Sequence, residues 1–170
     1  MSKSWKAYER RVARYFGSER TPLSGGNSRH TRSDSLHERL YIECKSNMQI
    51  KILSDWGDLR RRAKATESIP VVFYPHTIYQ GVWSIAPAVL FHSDSLPIYT
   101  SDNPTVLDIL QCNHCILQHK HDAIMRLYDD TLVKAAEEGK IPLLAIGQKN
   151  RPCFWIFCAL RDLNTILLEL

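Results

Sequence analysis

Two stretches of this chain read alike and set the kind of fold it can adopt. Ile69-Pro70-Val71-Val72-Phe73 leads to Gly81-Val82-Trp83-Ser84-Ile85, and Ile141-Pro142-Leu143-Leu144-Ala145-Ile146 leads to Cys153-Phe154-Trp155-Ile156-Phe157. Each is a short apolar run answered by a second after a break, the pattern of a hairpin. A helical pattern precedes each, roughly Asp55 to Glu67 for the first and from about Thr105 or Asp122 to Glu138 for the second. Upstream, Leu40, Ile42 and Cys44 alternate with Tyr41, Glu43 and Lys45, which predicts a strand with one face in the core. Helices interleaved with strands predict an α/β domain, a central mixed sheet flanked by helices. On this reading only one of the two hairpins directly completes the sheet begun by residues 40–45.

The rest of the chain fits around that sheet. Trp5, Tyr8, Val12, Tyr15 and Phe16 recur at helical spacing over residues 3–17, with Glu9 beside the apolar stripe and Gly17 placed to close the last turn. Residues 20–33 hold Pro22, Ser24, Gly25, Gly26, Asn27 and Ser28 and read as a loop. At 170 residues the chain is sized for one domain, 1–170. Its 44% apolar and 24% charged residues exclude collagen-like, disordered and disulfide-scaffold classes. No apolar run approaches the roughly 20 residues that cross a bilayer, and the first residues lack the apolar core of a signal peptide. The expectation is a cytoplasmic protein with no membrane partner, whose five cysteines are mostly thiols.

Net charge is only +4, but the positive residues cluster: Arg10, Arg11 and Arg14; Arg29 and Arg32; Arg60, Arg61, Arg62 and Lys64; Lys149 and Arg151. Clusters of this kind suit a polyanionic partner, although an arginine run is equally the signature of a solvated helix face. Trp56 close to Arg60 and Arg61 favours DNA contact for that helix, because arginines clamp phosphates and read guanine edges.

The chemistry gathers at Asp34, Glu43 and Lys45. Residues two apart on a strand project from one face, so Glu43 and Lys45 reach one point in space, and Asp34 on a neighbouring turn can join them. Two carboxylates converging on one site need a proton or a divalent cation between them. Hard oxygen ligands suit Mg²⁺, and a lysine beside it can orient a water and stabilise charge on phosphorus oxygens. That is an inventory for metal-assisted phosphodiester hydrolysis. By itself D-x8-E-x-K is a weak motif, since an exposed strand face carrying Glu and Lys is common.

The run ERRVARYFGSERTPLSGGNSRHTRSDSLHERLYIECKS resembles the front half of the PD-(D/E)XK nuclease superfamily, most closely its Holliday-junction-resolvase-like and phage-encoded members. DDTLVKAAEEGKIPLLAIGQKNRPCFWIF resembles the helix and closing strands of the same group. The resemblance implies a restriction-endonuclease-like core and a Mg²⁺-dependent DNA endonuclease, with Mn²⁺ as a substitute ion, in a bacterium or phage-infected host. It implies that Asp34 and Glu43 bind metal, that Lys45 assists the nucleophilic water, and that Glu9 contributes directly or through water. Ser24 would touch the scissile phosphate or orient the site, and Gln148 and Lys149 would contact the DNA backbone. Residues 47–120 stand where compact relatives have a short loop, and read as an insertion that binds DNA, supplies a dimer surface or decorates the fold. Cutting two strands or a junction would require a homodimer. Two alternatives stand beside junction resolution: a site-specific, homing-type endonuclease using the insertion for recognition, and a non-catalytic DNA-binding protein on the same fold.

A competing metal reading falls on Cys112 and Cys115 with His119 and His121. The cysteine pair has zinc spacing, but a structural site takes its second pair of ligands from a more distant segment. Val106, Ile109, Cys112 and Ile116 also fit a long helix with buried cysteines, so zinc is not expected. His30 and His37 read as exposed, and Trp5, Trp83 and Trp155 as packing residues.

Overall fold

The computed structural model describes residues 3–22, 31–46, 51–74, 78–79, 82–83, 88–94, 114–118, 123–147 and 153–170. Helix α1 (Lys3–Tyr15) leads to strand β1 (Leu40–Ser46), then α2 (Lys51–Ala65), β2 (Ile69–Tyr74), two short strands β3 (Ile78–Tyr79) and β4 (Val82–Trp83), β5 (Ala88–His92) and β6 (His114–Gln118). The chain continues with α3 (Ala123–Glu137), β7 (Ile141–Gly147), β8 (Phe154–Ala159), a 3₁₀ turn (Leu160–Asp162) and α4 (Leu163–Leu167).

Six strands form one mixed sheet in the order β1-β7-β8-β5-β2-β6. β1 runs parallel to β7 and β2 parallel to β6, while β7–β8, β8–β5 and β5–β2 are antiparallel. The order is palindromic about the β5–β8 seam, where Leu90 lies opposite Phe157. Leu90 also faces Val72, as Phe157 faces Leu144. The likeness of the two helix-Ile-Pro segments therefore has a structural counterpart. α2 and α3 are both 15 residues long, and both close through a left-handed residue, Glu67 (φ 50°) or Gly139 (φ 64°). The next N–H then returns to the helix, from Ser68 to the Ala63 carbonyl and from Lys140 to that of Ala135, 2.9 Å in each case.

Both sheet faces are buried. On one, Tyr8 and Val12 of α1, with Phe16, Leu163 and Ile166, cover Leu40, Ile42, Leu143 and Ile156. On the other, Trp56 and Leu59 of α2 and Ile124, Met125 and Tyr128 of α3 cover Val72, Leu90, Leu144, Ile146 and Phe157. Two-sided burial explains why β7 and β8 are nearly continuous apolar runs rather than alternating ones.

The structure departs from several expectations. The partner of β2 is β5, not residues 81–85, because Val82–Trp83 pairs instead with Ile78–Tyr79 in a separate two-stranded ribbon. Both β2 and the β7–β8 hairpin join the one sheet, and β7 takes the place beside β1. Residues 114–118 form a strand rather than part of a long helix, so Cys115 lies in β6; a short apolar run fits either period, and pairing with β2 decides it. β1 is covered on both faces, since Tyr41 is as fully buried as Ile42. Residues 47–120, read as an insertion, supply α2 and strands β2, β5 and β6 to the same sheet. No helix among the described residues is long and apolar enough to cross a membrane.

Candidate functional site

β1 is an edge strand, and its open edge is lined by residues 31–35. The Asp34 N–H donates to the Ile42 carbonyl (2.9 Å), and Ser33 Oγ bonds both the carbonyl and the N–H of Ile42 (3.1 and 3.0 Å). The next ladder position is taken by a side chain: Oδ2 of Asp34 accepts the N–H of Cys44 at 2.8 Å. That bond holds the carboxyl of Asp34 between the positions of Glu43 and Lys45. Thr21 fastens the segment from behind, its N–H to the Asp34 carbonyl (3.1 Å) and its hydroxyl to the Ser33 carbonyl (2.9 Å).

Glu43 and Lys45 lie in register with Leu144 and Ile146, residues that face α2 and α3. Lys45 Nζ donates to Glu43 Oε1 at 2.6 Å, with the lysine one-third exposed and the glutamate mostly buried. Burial pushes the Asp34 pKa up to about 7, Glu43 and Glu9 push the same way, and the Cys44 N–H and Lys45 only partly oppose them. Burial and two further carboxylates thus act on one point and bring the titration of Asp34 close to neutral pH.

Glu9 is almost wholly buried on α1, and the guanidinium of Arg20 closes on its Oε2. It sits close enough to raise Asp34, but its charge is already balanced by Arg20. Drawing Glu9, Asp34 and Glu43 around one cation would require Glu43 and Glu9 to loosen their ion pairs.

The sequence gives no hint of Glu138, which clamps the acid-bearing segment to the turn after α3. Its two oxygens accept the Thr31 hydroxyl (2.5 Å) and the Arg32 N–H (2.8 Å). Burial raises its pKa, and these bonds with that of Lys140 outweigh it, leaving the carboxyl below its usual value. Tyr8 was likewise unexpected beside the site: its ring lies where a side chain on Gly147 would be, 2.6 Å from an added Cβ, which brings α1 against the end of β7.

Other expected residues scatter. Arg32 is exposed and pairs with Glu137 at 3.1 Å. Arg60 and Arg61 are exposed on α2, Arg61 paired with Asp58. His37, expected at the surface, is buried: its Nδ1 accepts the N–H groups of Arg39 (3.1 Å) and Leu40 (3.0 Å), so it shapes the entry to β1. Ser24, Arg29, His30, Cys112, His119, His121, Gln148 and Lys149 lie outside the described residues.

Comparison with protein-family models, with curated proteins and with solved structures finds no match for this chain.

Proposed function

We propose that the chain is a Mg²⁺-dependent DNA endonuclease that hydrolyses phosphodiester bonds at the Asp34–Glu43–Lys45 edge of β1. The observation that carries the reading is the convergence on Asp34: burial pushes it toward protonation and two further carboxylates add to that, while a lysine stands two residues from the nearer one. A buried acid cluster of this kind suits a hard cation in place of the proton.

Asp34 and Glu43 would hold the ion, with Glu9 reaching it directly or through water. When bound, Mg²⁺ supplies Lewis-acid polarisation of a phosphoryl oxygen and makes a water more acidic. The task of Lys45 is to orient that water, or to meet charge developing on the phosphorus oxygens, once Glu43 turns from it. Asp34 would keep its Cys44 bond through Oδ2 and offer the ion its other oxygen. Arg60 and Arg61, exposed on α2, are the proposed backbone contacts for DNA, and double-strand or junction cutting would use a homodimer.

A second reading has its own support. The pairs Glu9–Arg20 and Glu43–Lys45 balance two of the three acids internally, as suits a DNA-binding protein that keeps such a site without cutting. Labelled duplex, four-way junction and single-stranded DNA, incubated with wild type and Glu43→Ala in Mg²⁺ or EDTA, separate the two. The endonuclease reading expects metal-dependent cutting that the variant loses; binding without cutting in Mg²⁺ and Mn²⁺ supports the non-catalytic reading.

A further inference from the structure

The β5–β8 seam carries a second cluster. β5 ends at His92, and the chain turns through Ser93 and Asp94; β8 begins just after Cys153. Backbone and hydroxyl bonds set this corner: the Ser93 N–H donates to the Phe154 carbonyl (2.9 Å) and the Phe154 N–H to Ser93 Oγ (3.2 Å). Within that frame Nδ1 of His92 lies 3.6 Å from Oδ2 of Asp94, and the Cys153 thiol donates to the same oxygen at 2.9 Å. All three ligand atoms lie within 4.8 Å of one another. The imidazole packs against two indoles, Trp56 at 5.9 Å and Trp155 at 5.6 Å between ring centroids.

We propose that His92, Asp94 and Cys153 bind a zinc-class divalent transition-metal ion, through Nδ1, a carboxylate oxygen and the thiolate, with a fourth position open. Tetrahedral zinc with bonds of about 2.0–2.3 Å sets its ligand atoms about 3.3–3.6 Å apart, so small side-chain rotations bring this trio to that spacing. One nitrogen, one oxygen and one sulfur are a zinc donor set and a poor one for Mg²⁺, which seeks oxygen alone. The cation takes the place of the thiol proton now shared with Asp94, and that proton leaves to solvent. The hydrogen bond to Asp94, with burial, holds the Cys153 thiol above its usual pKa, and Arg11 and Arg60 only partly oppose this, so the cation has to displace that proton; its repulsion by the two arginines is met by the two negative ligands.

The cluster is separate from the carboxylate site. Lys45 is in register with Ile146, Ile146 with Trp155 and Trp155 with His92, three strand spacings of roughly 4.8 Å each. Metal there would clip β5 to β8, where the two halves of the sheet meet.

The test is titration of EDTA-stripped protein with Co²⁺ and then Zn²⁺, followed by absorption and thermal midpoint. The proposal expects one equivalent of Co²⁺ with a thiolate-to-metal charge-transfer band and tetrahedral visible bands, displaced by Zn²⁺, and a thermal midpoint raised by Zn²⁺. Cys153→Ser removes the charge-transfer band, and Cys153→Ser and Asp94→Asn each weaken zinc by about 10-fold or more. The double variant Cys112→Ser/Cys115→Ser retains band and affinity. Asp94 is exposed and Cys153 partly so, so both variants keep the metal-free midpoint. Absence of the band, its survival in Cys153→Ser, its loss in Cys112→Ser/Cys115→Ser, or unchanged zinc affinity in Asp94→Asn overturns the site.

Discussion

Oδ2 of Asp34 stands in for a strand carbonyl, accepting the backbone N–H of Cys44 at 2.8 Å. The acid is therefore registered to β1 by the sheet's own hydrogen-bonding pattern, one residue from Glu43 and one from Lys45. Its position depends on backbone pairing rather than on a long, free side chain, which suits a group whose task is to hold a ligand in place.

That position has a pH signature without metal. The folded pKa of Asp34 is raised to about 7, so the native state holds this proton more tightly than the unfolded chain. The stability it contributes is present below the unfolded value near 4 and is lost as pH rises toward and through 7. Denaturant unfolding in EDTA should show this decline, flattened in Asp34→Asn, and Mg²⁺ should restore wild-type stability at pH 7–8. Asp162, also raised by burial, adds a parallel slope to both proteins, so the difference between them is the readout. Equal slopes would contradict the account.

His37 titrates with the opposite sign. Burial lowers its pKa, and Glu169, the next influence, only partly opposes that. Its unprotonated Nδ1 accepts two N–H groups at the start of β1. The stability it contributes is present above the unfolded value near 6.5 and is lost as pH falls through the lower folded value. Thermal midpoints of wild type and His37→Ala, measured from pH 8 to 5, should converge on acidification.

Arg20→Ala should be among the most destabilising changes near the site. It leaves the carboxylate of Glu9 buried without its cation, a situation that costs about 3–5 kcal/mol, and Glu9→Gln in the same chain should recover much of the loss. Denaturant midpoints of the single and double variants measure this directly; an additive loss would contradict a dominant Glu9–Arg20 interaction.

Gly147→Ala tests the contact of α1 with β7. The new methyl would stand 2.6 Å from the buried ring of Tyr8, and overpacking of this kind costs about 1–3 kcal/mol. Pairing it with Tyr8→Leu should relieve the clash, whereas an unchanged unfolding midpoint in Gly147→Ala alone would show that the ring moves freely.

Much of this was legible because it is local. The alternation of residues 40–45, the apolar stripe of α1 and the C-terminal hairpin are short-range patterns, and the structure keeps all three. Asp34, Glu43 and Lys45 follow from strand geometry plus one nearby turn. What failed was long-range. Nothing near Val72 announces that its partner is Leu90 rather than a residue of Val82–Trp83, because the Gly81 break reads as a turn wherever the strand goes next. Cys115 and Ile116 fit a helical stripe as well as a strand, and only the pairing with β2 separates them. Tyr41 carries a polar hydroxyl, so its full burial under the second helical layer is invisible in the alternation. Glu138 lies far from Thr31 and Arg32 in sequence, and its contacts with them emerge only when the turn after α3 packs against that segment.

The most direct measurement is single-turnover cleavage alongside equilibrium binding on the preferred labelled DNA, for wild type, Asp34→Asn and Lys45→Ala in Mg²⁺. The account predicts that wild type cuts, that both variants lose cleavage by about 100-fold or more, and that Lys45→Ala binds DNA nearly as well as wild type. Cleavage that persists in Lys45→Ala, or cleavage and binding lost together in that variant, would contradict the catalytic assignment at the edge of β1.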